Sequence, residues 1–249
     1  RVYSMAYYGE NLQYCLEKIY NNINKISYEG MYYRRDIGLK YLLDNTDMKK
    51  KLKIGIISSS RGTSIKKLLE IQKDINIEVK LIISNKKSLI LDKGKEYKID
   101  TFYLPDNNYY KMINIIDIYE LDMIFAVGYK NIFPDYFCER YYNKLFNIHP
   151  SLLPKYKGMY GDSIHKEVLA NEIFSGCTLH KITSEVDGGD IVLQKQYKLR
   201  INDTINILKD EIQKLESECI IEYIKLFKSK SITYKDSGVD IEKGNDFTK

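Results

Sequence analysis

Apolar residues fall along the chain in short runs, separated by stretches long enough to hold helices. LKIGIIS from Leu52, IEVKLIIS from Ile77, TFYL from Thr101, MIFAV from Met123 and LFNIH from Leu145 read as buried strands. Between the first two, Ile65, Leu68, Leu69 and Ile71 give a helix its apolar face. Strands alternating with helices predict an α/β fold with a doubly wound, mostly parallel, Rossmann-like sheet. The rhythm then changes: TLHKIT and DIVLQKQY flank the polar, glycine-bearing SEVDGGD, which predicts an antiparallel hairpin. Ile205, Leu208, Ile212, Leu215 and Cys219 recur at helical spacing and predict a long closing helix. In the polar tail only ITY suggests a brief strand.

Residues 1–44 follow a separate pattern. RVYSMAY alternates as a strand does, and Leu12, Cys15, Leu16, Ile19, Tyr20 and Ile23 then share one helical face, predicting a strand, a helix and a short return. Residues 45–51 are polar and charged and read as a linker, which leaves 52–249 as a second domain. The chain begins at Arg1 rather than Met, so a longer polypeptide is expected.

Composition narrows the classes. Charged residues make up 29% and hydrophobic ones 44%, as in a soluble globular protein, and no apolar run approaches the roughly 20 residues of a membrane span. The net charge of +5 is spread over 39 basic and 34 acidic residues without a dense basic block. It therefore does not mark a nucleic-acid surface, although it suits a phosphate-bearing substrate. Cys15, Cys138, Cys177 and Cys219 lie far apart with no CxxC pair, which predicts buried thiols in a reducing cytoplasm. Three histidines, without i, i+4 spacing or neighbouring cysteines, argue against a zinc site.

The candidate chemistry lies at the end of LFNIH. Asn147 and His149 are two apart, so on a strand their side chains emerge on one face. An amide donor beside an imidazole suits acyl transfer, where one holds a developing oxyanion and the other moves a proton or stabilises charge. Asp187, before Gly188 and Gly189, can reach back to orient the imidazole or take a proton from an amine, and it also fits an ordinary Asp-Gly turn. The Ser59–Ser64 loop joins a strand to a helix and offers backbone amides to a phosphate, or a helix cap by Thr63 or Ser64. His165 and His180 read as structural or supporting.

The run NIHPSLLPKY with the later DGG resembles the glycinamide ribonucleotide formyltransferase family, from about Lys53 to about Phe227. That resemblance implies formyl transfer from 10-formyltetrahydrofolate to glycinamide ribonucleotide in purine synthesis, with Asn147, His149 and Asp187 catalytic, His149 acting protonated, and no metal. It implies substrate contacts at Gly62, Thr63, Ser64, Gly128, Pro150 and Glu216; Thr63 and Ser64 replace the family's Ser and Asn. Folate contacts are implied at Asn131, Ile132, Phe133, Ile182, Thr183, Ser184, Glu185 and Val186, with Asn131 in place of an arginine found in many relatives. A cis peptide is implied at Leu153–Pro154. ISYEGMYYRRDIGLKYL is similar to the C-terminal end of glycinamide ribonucleotide synthetases, so residues 1–44 are expected to be the remnant of an upstream purine-synthesis domain of the same polypeptide. The partners expected are therefore small-molecule substrates and that upstream domain, with no nucleic acid and no membrane, in the cytoplasm.

Overall fold

The structure, a computed structural model, describes residues 5–9, 12–23, 25, 26 and 51–230. The chain divides into two units, residues 51–225 and residues 1–50 with 226–249. In the second, α1 (Leu12–Ile23) forms on the predicted helical stripe, with Leu16 buried. Residues 5–9 form no strand, which corrects the expectation over the described part of RVYSMAY. Alternation alone gives a segment no partner for its backbone groups, and here Tyr7 instead meets Tyr14 of α1 edge to face at 6.2 Å. The expected return and the ITY strand lie outside the described residues.

Residues 51–225 carry a seven-stranded sheet in the order β3-β2-β1-β4-β5-β6-β7. Its strands are β1 (Leu52–Ile57), β2 (Ile77–Ser84), β3 (Asp100–Tyr103), β4 (Met123–Ala126), β5 (Leu145–His149), β6 (Phe174–Lys181) and β7 (Ile191–Lys198). The first five pair in parallel with one another; β6 runs antiparallel to β5, and β7 antiparallel to β6. The helices are α2 (Lys66–Ile71), α3 (Leu89–Glu96), α4 (Tyr109–Tyr119), α5 (Asp135–Tyr141), α6 (Asp162–Asn171) and α7 (Ile205–Lys230). This is the α/β, mostly parallel sheet with a C-terminal hairpin and closing helix that the pattern predicts.

The continuous apolar runs are explained by burial on both faces. Ile57, Leu81, Ile83, Ile124, Ala126 and Leu145 pack with Met112 and Ile116 of α4 and Phe137 of α5. On the opposite face Phe146 meets Phe125 at 5.8 Å and Tyr223 of α7 at 5.0 Å. Strand period then dictates that Asn147 and His149 share the face of Leu145, at the C-terminal end of β5. The junction of β1 and β4 at the sheet centre, on either side of which successive strands run outward in opposite directions, is the switch point at which open α/β sheets leave a crevice.

The closing helix buries more than its apolar stripe. Leu208, Ile212 and Cys219 are buried as predicted, but so are Glu216 and Ser217, while Leu215 is only half-buried. Burial pushes the Glu216 carboxyl up to about 7, with the Ser64 hydroxyl opposing. A carboxyl whose folded pKa exceeds its unfolded one stabilises fully below the unfolded value of 4.5, and that stability is lost as pH rises through 7. Glu216→Gln should therefore gain on the unsubstituted protein by roughly 2–3 kcal/mol between pH 5 and pH 8. Denaturant titrations at both pH values check this, and a stability difference independent of pH would refute it.

Candidate active site

The site forms where the C-terminal ends of β1, β4 and β5 meet the β6–β7 hairpin loop. Asp187 is brought there by a tight turn in which it adopts φ 49° and the Gly188 N–H donates to the Glu185 carbonyl at 3.1 Å. Aspartate is one of the few side chains that tolerate this left-handed backbone. Asp187 Oδ2 lies 3.3 Å from His149 Nδ1 and accepts the Gly158 N–H at 3.0 Å. Asp187 Oδ1 lies 3.5 Å from Asn147 Nδ2. Asp187 thus joins the other two candidates, touching His149 with one carboxylate oxygen and facing Asn147 with the other, although it is 40 positions from Asn147.

His180 joins them. Residue 180 pairs with residue 147 across β5 and β6, and Asn147 Nδ2 sits 3.0 Å from His180 Nε2. The Lys181 carbonyl, 2.8 Å from His180 Nδ1, can only accept, so Nδ1 carries a proton; Nε2 faces the Asn147 amide nitrogen, which can only donate, and accepts from it. One amide hydrogen of Asn147 is therefore committed to His180. The other faces Asp187 at a distance too long for a strong bond, so it is the one available to exchange for a developing oxyanion.

His149 is 4% exposed, with acceptors at both ring nitrogens: Asp187 Oδ2 at Nδ1 and the Tyr156 carbonyl 3.3 Å from Nε2. Burial lowers its pKa, outweighing the Asp187 carboxylate that raises it, and His180 lowers it further. The lowered pKa favours the neutral ring in the resting site, before any proton moves in the reaction. Its two acceptors would compensate a proton gained during reaction. Burial also raises the Asp187 pKa, but the neighbouring imidazoles of His180 and His149 and the Gly158 N–H together bring it below the usual carboxylate value. A charged Asp187 beside a neutral His149 is a base with an adjacent proton carrier.

A pocket opens directly on Asn147 and Asp187. Seven of the eight residues predicted to meet folate line it: Asn131, Ile132, Phe133, Ile182, Thr183, Glu185 and Val186; Ser184 does not. Its apolar wall is rigid because Phe133 stacks between Tyr129 and Phe137, each ring 4.9 Å away. Lys130 and His180, which the sequence reading did not assign to the pocket, line it as well. Lys130 lies over the Tyr160 ring at 5.4 Å.

The loop after β1 is held from within. Ser58 Oγ lies 3.0 Å from Ser60 Oγ, and the Gly62 N–H donates to Ser60 Oγ at 3.3 Å. Gly62 has φ 69°, and Thr63 is exposed. The residue preceding α2 is Ile65, with no side-chain cap, so neither Thr63 nor Ser64 caps that helix. Ser64 turns inward and donates its hydroxyl to Glu216 Oε2, while the Ser217 hydroxyl donates to the Ser64 carbonyl. Ser64 and Glu216, both predicted substrate contacts, are thus each other's partner. Gly128 lies against the same loop: a Cβ there would come 2.9 Å from Ser60 Cβ, and its carbonyl accepts the Ser59 N–H at 3.4 Å. Pro150 directly follows the end of β5, and Leu153–Pro154 is cis as expected. His165 is buried on α6, away from these contacts, and its Nδ1 has no partner among the described residues. Among those residues no group of side chains is arranged to hold a metal ion, and no helix is long and apolar enough to cross a membrane.

An amide, an imidazole and a carboxylate gathered at the switch point of a doubly wound sheet, beside a partly apolar pocket, form a site suited to acyl transfer. The formyl transferase family model matches residues 52–224, and the chain belongs to the formyl transferase family. Within it, the phosphoribosylglycinamide formyltransferase of Haemophilus influenzae is 31% identical over 195 residues, covering 74% of this chain and 91% of its own length. The trifunctional purine biosynthetic protein adenosine-3 of Homo sapiens is 25% identical over 201 residues, or 76% of this chain, and the chain spans only 20% of that relative's length. The crystal structure of phosphoribosylglycinamide formyltransferase from Anaplasma phagocytophilum superposes with a TM-score of 0.68 at 27% identity, covering 73% of this chain and 89% of the other.

Proposed function

We propose that residues 52–249 transfer a formyl group from 10-formyltetrahydrofolate to the primary amine of glycinamide ribonucleotide, a step of purine synthesis. The observation that carries this is the contact of Asn147, His149 and Asp187 at the mouth of a pocket lined by the residues expected to meet folate. Similarity to named phosphoribosylglycinamide formyltransferases supports it.

The donor's pteridine lies in the pocket between the 131–133 and 182–186 segments, which brings its formyl group to Asn147 and Asp187. The acceptor's phosphate is held at Gly62 and Thr63, with Gly128 and Pro150 beside the amine. The amine attacks the formyl carbon, and the free N–H of Asn147 turns from Asp187 to the oxyanion. As the C–N bond forms, Asp187 and neutral His149 receive the amine proton, and His149 returns it to the donor nitrogen as the old C–N bond breaks. No covalent enzyme intermediate is needed, because fixing two substrates in line can itself supply roughly 7–11 kcal/mol. Ser64 and Glu216 support the loop from inside.

We further infer that residues 1–44 are the end of a synthetase-like domain of a longer, multifunctional purine enzyme, which would be the fused partner, in the cytoplasm. The similarity to a trifunctional relative is compatible with this, although the matched part is the formyltransferase region.

Formyl transfer measured with glycinamide ribonucleotide, water and formylatable tRNA as acceptors tests the reading. Turnover on glycinamide ribonucleotide at least about a hundredfold above the other two, a difference of roughly 2.7 kcal/mol, is the expected result. Release of formate at a comparable rate with water alone would instead make the protein a formyltetrahydrofolate hydrolase.

A further inference from the structure

We propose that Lys93, on α3, is a positioning residue that fixes the Gly62 peptide and so aims the Thr63 N–H at the acceptor's phosphate. The inference deepens the proposed function and rests on it for the identity of the acceptor.

Two α3 side chains one turn apart converge on Gly62. Ile90 lies beneath it, so close that a Cβ at residue 62 would come 2.3 Å from Ile90 Cδ1, and Gly62 itself has φ 69°. Lys93 Nζ then donates to the Gly62 carbonyl at 3.3 Å. Because the peptide unit is planar and trans, the carbonyl of residue 62 and the N–H of residue 63 point in opposite directions. Holding the carbonyl against α3 therefore turns the Thr63 N–H away from α3. Thr63 is exposed, and its N–H has no hydrogen-bond partner among the described residues.

The next residue cannot take over this role through its side chain. The Ser64 hydroxyl is spent on Glu216, which leaves the outward donors to Thr63. Lys93 is also where positive charge collects behind the loop: burial holds its pKa below the usual lysine value, and the adjacent Lys66 ammonium lowers it further. Glu96 and Glu70 face it and act in the opposite sense. Its link to Gly62 spans 31 positions, so packing alone brings this lysine into the loop's hydrogen-bond frame.

The test compares Lys93→Met, which keeps the apolar stem, with Lys93→Arg, which keeps the donor. Lys93→Met should raise KM for glycinamide ribonucleotide about tenfold, about 1.4 kcal/mol, with kcat and the donor KM within about twofold. The KM for the same acceptor lacking its phosphate should not change, and Lys93→Arg should recover most of the loss. An equal loss on both acceptors, or none, overturns the inference. In the unliganded protein, the 15N–1H resonance of Thr63 should shift in Lys93→Met; if it stays in place, Lys93 is not positioning that amide.

Calorimetry with ribose 5-phosphate separates this from the formyl-transfer reading. If the unsubstituted protein transfers no formyl group yet binds ribose 5-phosphate about tenfold tighter than Lys93→Met does, the inference stands and the activity assignment falls. If the unsubstituted protein does not bind ribose 5-phosphate at all, the inference falls whatever the activity.

Discussion

Asp187→Asn should lower formyl-transfer turnover at least about a hundredfold, roughly 2.7 kcal/mol of transition-state stabilisation, while KM for both substrates changes by less than about threefold. Asparagine keeps the size and one acceptor oxygen, so it can still take the Gly158 N–H that Asp187 Oδ2 accepts at 3.0 Å. It cannot supply the negative charge 3.3 Å from His149 Nδ1. Without that charge, burial and His180 both lower the His149 pKa with only the Tyr156 carbonyl opposing, and an imidazolium formed during reaction loses its counter-ion. The amine also loses its nearest base. Single alanine changes at Asn147 and His149 should cost a comparable factor, and the double changes much less than the sum, because all three act on one transition state. Turnover of Asp187→Asn near that of the unsubstituted protein would reduce Asp187 to a turn residue and end the proposed mechanism.

Gly189→Ala should be among the most damaging single changes to this domain, costing at least about 2–3 kcal/mol of stability with a large fall in turnover. An added Cβ would lie 2.0 Å from the Lys181 carbonyl oxygen. That atom is backbone, at the end of β6, and the Lys181 N–H is bonded to the Asp190 carbonyl at 2.9 Å. No side-chain rotation can relieve the clash, so the base of the hairpin must open and carry Asp187 away from His149. Gly188→Ala provides the control, since its Cβ would meet only the flexible Glu185 side chain. Its cost should stay within about 1 kcal/mol, because the exposed Lys157–Glu185 pair it disturbs contributes little. Denaturant midpoints and turnover of both variants give the comparison. Equal effects at the two positions would show that the Lys181 contact does not hold the turn.

What the sequence could carry was set by local periodicity. Continuous apolar runs marked β1, β2, β4 and β5, because strands covered on both faces have no polar side to show. The two-residue period placed Asn147 and His149 on one face, and Asp187 before two glycines marked the turn, so the chemical groups of the site were legible in the chain itself. Periodicity failed where a pattern had no partner: the alternation of the first residues forms no strand over residues 5–9, because a strand is stable only against a neighbour. It also failed for Glu216, since helical spacing cannot tell a solvated carboxylate from one buried against Ser64 at a separation of 152 positions.

Only the tertiary structure decided which groups meet. The antiparallel register of β5 and β6 puts His180 against the Asn147 amide, a turn delivers the Gly158 N–H to Asp187, and α3 brings Lys93 to Gly62. It also decided the direction in which the His149 pKa is shifted, which no motif specifies. A pKa follows from burial and from the charges that packing places nearby, and these depend on contacts between residues distant in the chain. Sequence determined the identity of the reacting side chains because side-chain type is local; their geometry and protonation came from the fold because hydrogen bonds, burial and electrostatic fields act through space.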